Sequence, residues 1–110
     1  MHKKFEVLFL EEAIDFIDSL DLKARKKIYF NIDKAKDVND PKLFKKLTNE
    51  IWEFRTKYSG LQYRLLAFWD KTDTKETLVI STHGIVKKVD KVPQKEIEKA
   101  LRIRTEYFDL

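Results

Sequence analysis

Cysteine is absent from the 110 residues, which excludes disulfides, thiolate nucleophiles and zinc–thiolate sites. Histidine occurs only as His2 and His83, too few for a multi-histidine metal centre, and neither a metal nor a cofactor is expected. Apolar runs fall well short of the roughly 20 residues that a membrane-spanning helix needs. No charged-then-apolar leader opens the chain, so a reducing cytoplasm is the expected location. Glycine and proline occur twice each, and no linker, repeat or low-complexity tract appears.

What is there suffices for one core. Hydrophobic residues make up 43% and aromatic residues 13%, which rules out disordered and fibrous classes and fits one domain over residues 1–110. Charged residues make up 38%, with a net charge of +4. The excess sits in residues 87–104, where seven basic side chains face three acidic ones. A polyanionic partner would suit it, but so would an ordinary solvated helix face.

The pattern along the chain gives the order β-α-α-β-β-β-α. Phe5 to Leu10 is an apolar run of strand length. Glu11 and Glu12 open a helix whose Ala13, Ile14, Phe16, Ile17 and Leu20 recur at helical spacing. Asp21 is suited to cap a second helix, buried through Ile28, Ile32 and Ala35 and broken by Asn39-Asp40-Pro41. From Ile51 to Tyr58 the period becomes two, with Trp52, Phe54 and Tyr58 on one side and Glu53, Arg55 and Lys57 on the other. Ser59-Gly60 is a turn, Leu61–Trp69 a second strand, and Thr77–Thr82 a third. Pro93 fits the first turn of a last helix. The expected fold is α+β, a helical hairpin packed on a small, mainly antiparallel sheet with a C-terminal helix. The other sheet face is expected to be partly open and charged.

Arg64 is the one charged residue of a strand that is otherwise apolar apart from Gln62. A buried guanidinium is costly alone, so it either pairs with Glu53 across the hairpin or faces an anion-binding surface. Two arginines and a carboxylate on one face could hold and polarise a phosphodiester. His83, just past the third strand, has the side chain best suited to proton transfer near neutral pH, although a lone histidine is commonly structural. Lys87, Lys88 and Lys91 follow in a loop and suit phosphate. Trp52, Tyr58, Tyr63 and Trp69 could stack on bases, but alternating aromatics usually belong to the core.

In order, Leu47-Thr48-Asn49-Glu50-Ile51-Trp52-Glu53-Phe54-Arg55, Tyr63-Arg64-Leu65-Leu66, His83-Gly84-Ile85-Val86-Lys87-Lys88, Lys91-Val92-Pro93 and Glu96-Ile97-Glu98-Lys99-Ala100 form a set. It resembles the phage-derived HigB-like branch of the RelE/ParE toxins over nearly the whole chain. Phe54 and Ile85 stand where that family has leucine and phenylalanine.

The resemblance implies the toxin of a bacterial type II toxin–antitoxin pair, a ribosome-dependent mRNA endoribonuclease that inhibits translation. Cleavage would proceed without metal, by attack of the 2′-hydroxyl on the adjacent phosphorus. By position, Arg55 and Arg64 would stabilise the phosphate and transition state, Glu53 would be the base and His83 the acid. Lys57, Lys87, Lys88 and Lys91 would hold RNA, and replacing Arg64 should abolish cleavage with little loss of fold. The implied partners are mRNA, the ribosome and an antitoxin, a helix-turn-helix protein encoded alongside. One rival is a ParE-like inhibitor of DNA gyrase that cuts nothing. Another is a non-catalytic nucleic-acid-binding domain whose binding weakens with salt.

Overall fold

The computed structural model describes residues 5–72, 78–87 and 91–109. Its elements are β1 (Glu6–Phe9), α1 (Glu11–Asp18), α2 (Leu22–Asp37), β2 (Phe44–Lys46), β3 (Trp52–Tyr58), β4 (Leu61–Asp70), β5 (Leu78–Lys87) and α3 (Gln94–Phe108). The sheet has five strands in the order β1-β5-β4-β3-β2. Only β1 runs parallel to its neighbour, β5; the other pairs are antiparallel. The architecture is α+β, as the pattern predicts.

Local chemistry explains most boundaries. Asp21 accepts a hydrogen bond from the Ala24 amide at 2.9 Å and so caps α2. Between β3 and β4, Ser59 and Gly60 both have positive φ, 53° and 78°. That is the backbone of a two-residue hairpin whose twist matches its strands. Pro93 caps α3 rather than lying inside its first turn.

The helices α1 and α2 cover one sheet face, with Ala13, Ile17, Ala24, Ile28, Ile32 and Ala35 buried against Phe54, Leu65, Ala67 and Val79. Trp52, Tyr58, Tyr63 and Trp69 belong to this cluster as well, so the core reading of these aromatics is the right one. Ile14, placed in the buried stripe by its spacing, is 43% exposed; the stripe is narrower than the apolar pattern. Gly84 of β5 lies under α1, where a Cβ would come 2.2 Å from the Phe16 ring.

The sheet departs from expectation in two places. β2 is an extra strand, only three residues long. β5 does not stop at Thr82 but continues to Lys87, so His83 and Lys87 lie within a strand. The expected start at Thr77 lies outside the described residues. The second face is partly open, as expected: α3 covers part of it, burying Leu66, Phe68 and Ile80 against Ile97 and Ala100. The part beyond α3 carries the polar side chains, among them Glu53, Arg55 and Arg64.

Candidate active site

Register decides which side chains meet on that face. The tight turn sets Arg55 opposite Arg64 and Glu53 opposite Leu66. On the far side of β4, Ile85 lies beside Arg64, His83 beside Leu66 and Lys87 beside Gln62. β2 adds Lys45 beside Glu53. Three rows result: Lys45–Glu53–Leu66–His83, then Arg55–Arg64–Ile85, then Lys57–Gln62–Lys87.

Arg55 and Arg64 are like charges directly across a strand pair, an arrangement that repels unless a carboxylate intervenes. Glu53 supplies it. Its Oε1 lies 3.2 Å from Arg64 Nε and its Oε2 lies 3.5 Å from Arg55 Nε. Arg64 has no exposed surface; it also donates to the Tyr63 carbonyl at 3.3 Å and to the Gln62 side chain. Arg55 is partly exposed and donates to the Pro41 carbonyl at 3.3 Å. Burial pushes the Glu53 carboxyl above its ordinary value, outweighing the attraction of Arg64, Arg55, Lys87 and Lys45.

Above Glu53 and Arg55 opens a groove of about 680 Å³. Lys45, Leu47 and Thr48 form one bank, and Lys91, Val92, Pro93 and Gln94 the other. The first bank is held by Thr48, whose hydroxyl accepts from the Ile51 amide at 3.1 Å, and by the Leu47 amide, which donates to the Ile51 carbonyl at 2.8 Å. A buried carboxylate under cationic banks is suited to receive a proton from a bound anionic substrate while its charge is stabilised.

The family model described as "Phage derived protein Gp49-like (DUF891)" matches residues 15–105. The chain belongs to this Gp49-like family. That family is RelE/toxin-like. The matched stretch contains every row residue named above and leaves β1 outside. No curated protein matches the chain.

In this Gp49-like chain, the candidate residues divide into two groups. Glu53, Arg55 and Arg64 are brought together, with Lys91 on the groove bank. Lys57 is exposed one row away, whereas Lys87 is buried at 9% exposure rather than presented by a loop. Lys88 lies outside the described residues. His83 is apart from the groove: Leu66 stands between it and Glu53, two strand spacings or about 10 Å across the sheet. Its Nε2 lies 3.1 Å from Glu96 Oε1 of α3 and its Nδ1 2.9 Å from the Thr82 hydroxyl. Burial lowers its pKa, against the opposing pull of Glu96.

Lys45 and Glu96 are the residues that the sequence pattern missed. A three-residue strand carries no periodicity from which Lys45 could be set beside Glu53. Glu96 reads simply as an acidic residue in the first turn of a helix. Among the described residues, no cluster of three or more histidine, aspartate or glutamate side chains is placed to hold a metal. None of their helices is long and apolar enough to cross a membrane.

Proposed function

We propose that the protein is the toxin of a bacterial type II toxin–antitoxin pair, of the HigB-like branch, and cleaves ribosome-bound mRNA. The observation that carries this reading is Glu53, a buried carboxylate with a raised pKa, held between two guanidinium groups at the floor of an open cationic groove. Glu53 takes the proton of a 2′-hydroxyl. The 2′-oxygen bonds to the adjacent phosphorus, the bond from phosphorus to the 5′-oxygen breaks, and a 2′,3′-cyclic phosphate results.

A raised pKa makes the ionised carboxylate a stronger base than an ordinary glutamate. Arg55, Lys45 and Lys91 line the groove where negative charge grows on the phosphoryl oxygens. Arg64, fully buried, is a positioning residue that fixes the Glu53 carboxylate. The leaving oxygen takes its proton from a groove lysine, Lys45 or Lys91. His83 has both ring nitrogens engaged. It ties the first turn of α3 to β5, and so holds the bank formed by Pro93 and Gln94. An antitoxin of helix-turn-helix type would silence the protein by covering this groove or by adding bulk that bars it from the ribosome.

Primer-extension mapping of a defined mRNA in a purified translation system tests the reading. Wild-type protein should give codon-phased cuts that need ribosomes, and folded Arg55→Ala and Glu53→Gln proteins should give none. No cuts from folded wild type would overturn it, and inhibition of gyrase supercoiling would then support the ParE-like alternative.

A further inference from the structure

A second groove, of about 440 Å³, adjoins the first, and Arg55 lines both. It lies between α2 and the end of β3, beyond the reach of β2, which pairs with β3 only as far as Phe54. Lys27, Phe30, Asn31 and Lys34 line it from α2, a spacing of three, four and seven that places them on one helix face. Asn31 anchors this face, its Nδ2 donating to the Thr56 hydroxyl at 3.1 Å. From the opposite side come Lys42 and Lys57. The one acidic side chain of the lining, Asp40, accepts from the Lys42 amide at 2.9 Å and is outnumbered by Lys27, Lys34, Lys42 and Lys57.

Phe30 is 61% exposed, more than any other large apolar side chain among the described residues. The Lys27 ammonium stands 5.7 Å from its ring centroid. A flat ring in water, ringed by cations and continuous with the catalytic groove, matches a strand carrying a phosphate and a planar base in each unit. An acidic peptide would satisfy the lysines and leave the ring unexplained.

We propose that this groove holds the single-stranded RNA flanking the cleaved phosphodiester. Lys27, Lys34 and Lys42 contact its phosphates and Phe30 stacks under one base. The proposal rests on the RNA-cleaving reading above and extends it by a subsite outside the reacting groups.

The test is fluorescence anisotropy with 2′-O-methyl RNA, which lacks the attacking hydroxyl and stays intact, as a strand of about eight nucleotides and as a dinucleotide. Wild type, Arg55→Ala, Lys27→Ala/Lys34→Ala and Phe30→Ala are compared across salt. Because α2 presents these residues to solvent, circular dichroism should show all of the groove variants folded. Phe30→Ala should weaken binding of the longer strand about tenfold. The double lysine variant should lower the slope of log K against log salt by about 1.4, at about 0.7 per phosphate. Neither should alter dinucleotide binding, which Arg55→Ala removes. Arg55-dependent binding that both groove variants leave intact would overturn this proposal and spare the function. No RNA binding by wild type would overturn this proposal, and codon-phased cleavage on ribosomes would then decide the function separately. A polyglutamate peptide that displaces the RNA and binds Phe30→Ala as well as wild type would make the groove a protein-docking site and also overturn the proposal.

Discussion

Arg64→Ala is expected to remove a large part of the folding free energy, and the reason lies in what it leaves behind. The arginine is fully buried, 3.2 Å from Glu53, and bonded to the Tyr63 carbonyl and to Gln62. Truncation strands a carboxylate whose side chain is only 3% exposed, with Arg55 at 3.5 Å as its remaining close guanidinium. Breaking a buried ion pair by removing one partner costs about 3–5 kcal/mol, out of about 5–15 kcal/mol for a typical domain. For a domain near this size, each kcal/mol is worth about 4–8 °C of Tm, so the loss should exceed about 12 °C. Urea melts followed by circular dichroism measure it. The double variant Glu53→Leu/Arg64→Leu should recover most of the loss, because removing both charges of a buried pair is often close to neutral. A loss below about 1 kcal/mol for Arg64→Ala would place the pair among solvent-screened salt bridges and refute the reasoning. The expectation that Arg64 can be replaced with little loss of fold therefore falls. Arg55, partly exposed, is the cleaner probe of the proposed cleavage.

Three further outcomes follow from the same geometry. With its pKa raised from 4.5, Glu53 holds a proton in the folded protein across the window from that value up to the raised one. Folding stability conferred by Glu53 therefore falls as pH rises through this window and is level above it. The difference in urea midpoint between wild type and Glu53→Gln, measured from about pH 4 upward, isolates this slope from the opposite one that His83 contributes through its lowered pKa. A difference that grows with pH would mean that the arginines outweigh burial. Gly84→Ala places a methyl 2.2 Å from the Phe16 ring and should cost about 1–3 kcal/mol, partly restored by Phe16→Leu; an unchanged melting curve would deny the contact. Ser59→Asn, at φ 53°, should raise stability by about 0.5–1 kcal/mol, since asparagine tolerates the left-handed region better than serine; a lower Tm would contradict the turn assignment.

Much of this molecule was legible because its periodicities are clean. Glu53, Arg55 and Lys57 alternate with Trp52, Phe54 and Tyr58, and the two sets do lie on opposite faces of β3. Ser59-Gly60 then fixes the register of β4, which is enough to set Arg64 opposite Arg55. The rest depended on interactions that alternation does not encode. β2 exists because Phe44 stacks on Phe54 and Trp52, with ring centroids 4.3 Å and 4.9 Å apart, a tertiary contact with no local signature. His83 looked like a strand terminus because the alternation fails at Thr82. That failure is a bulge, with Leu66 paired to His83 and Ala67 to Ser81.

The bulge also determines how one sheet face serves two purposes. Along an unbroken β5, Ile80 and Leu78 would point away from the face that carries His83, Ile85 and Lys87. The extra residue at Thr82 turns both sets to the same side. The Ser81 hydroxyl donates to the Leu66 carbonyl at 3.3 Å, which keeps the irregular point satisfied. Ile80 and Leu78 thereby join the core under α3, while His83, at the boundary, holds Glu96 and fixes where α3 begins. Because α3 begins there, Pro93 and Gln94 become a wall of the groove and Glu53 stays at its floor. Covering the whole face would have sealed the carboxylate from any substrate. Leaving it bare would have lowered the pKa that burial raises. The half-covered sheet gives Glu53 both the low dielectric that raises its pKa and an opening through which, on the function proposed above, a phosphodiester would reach it.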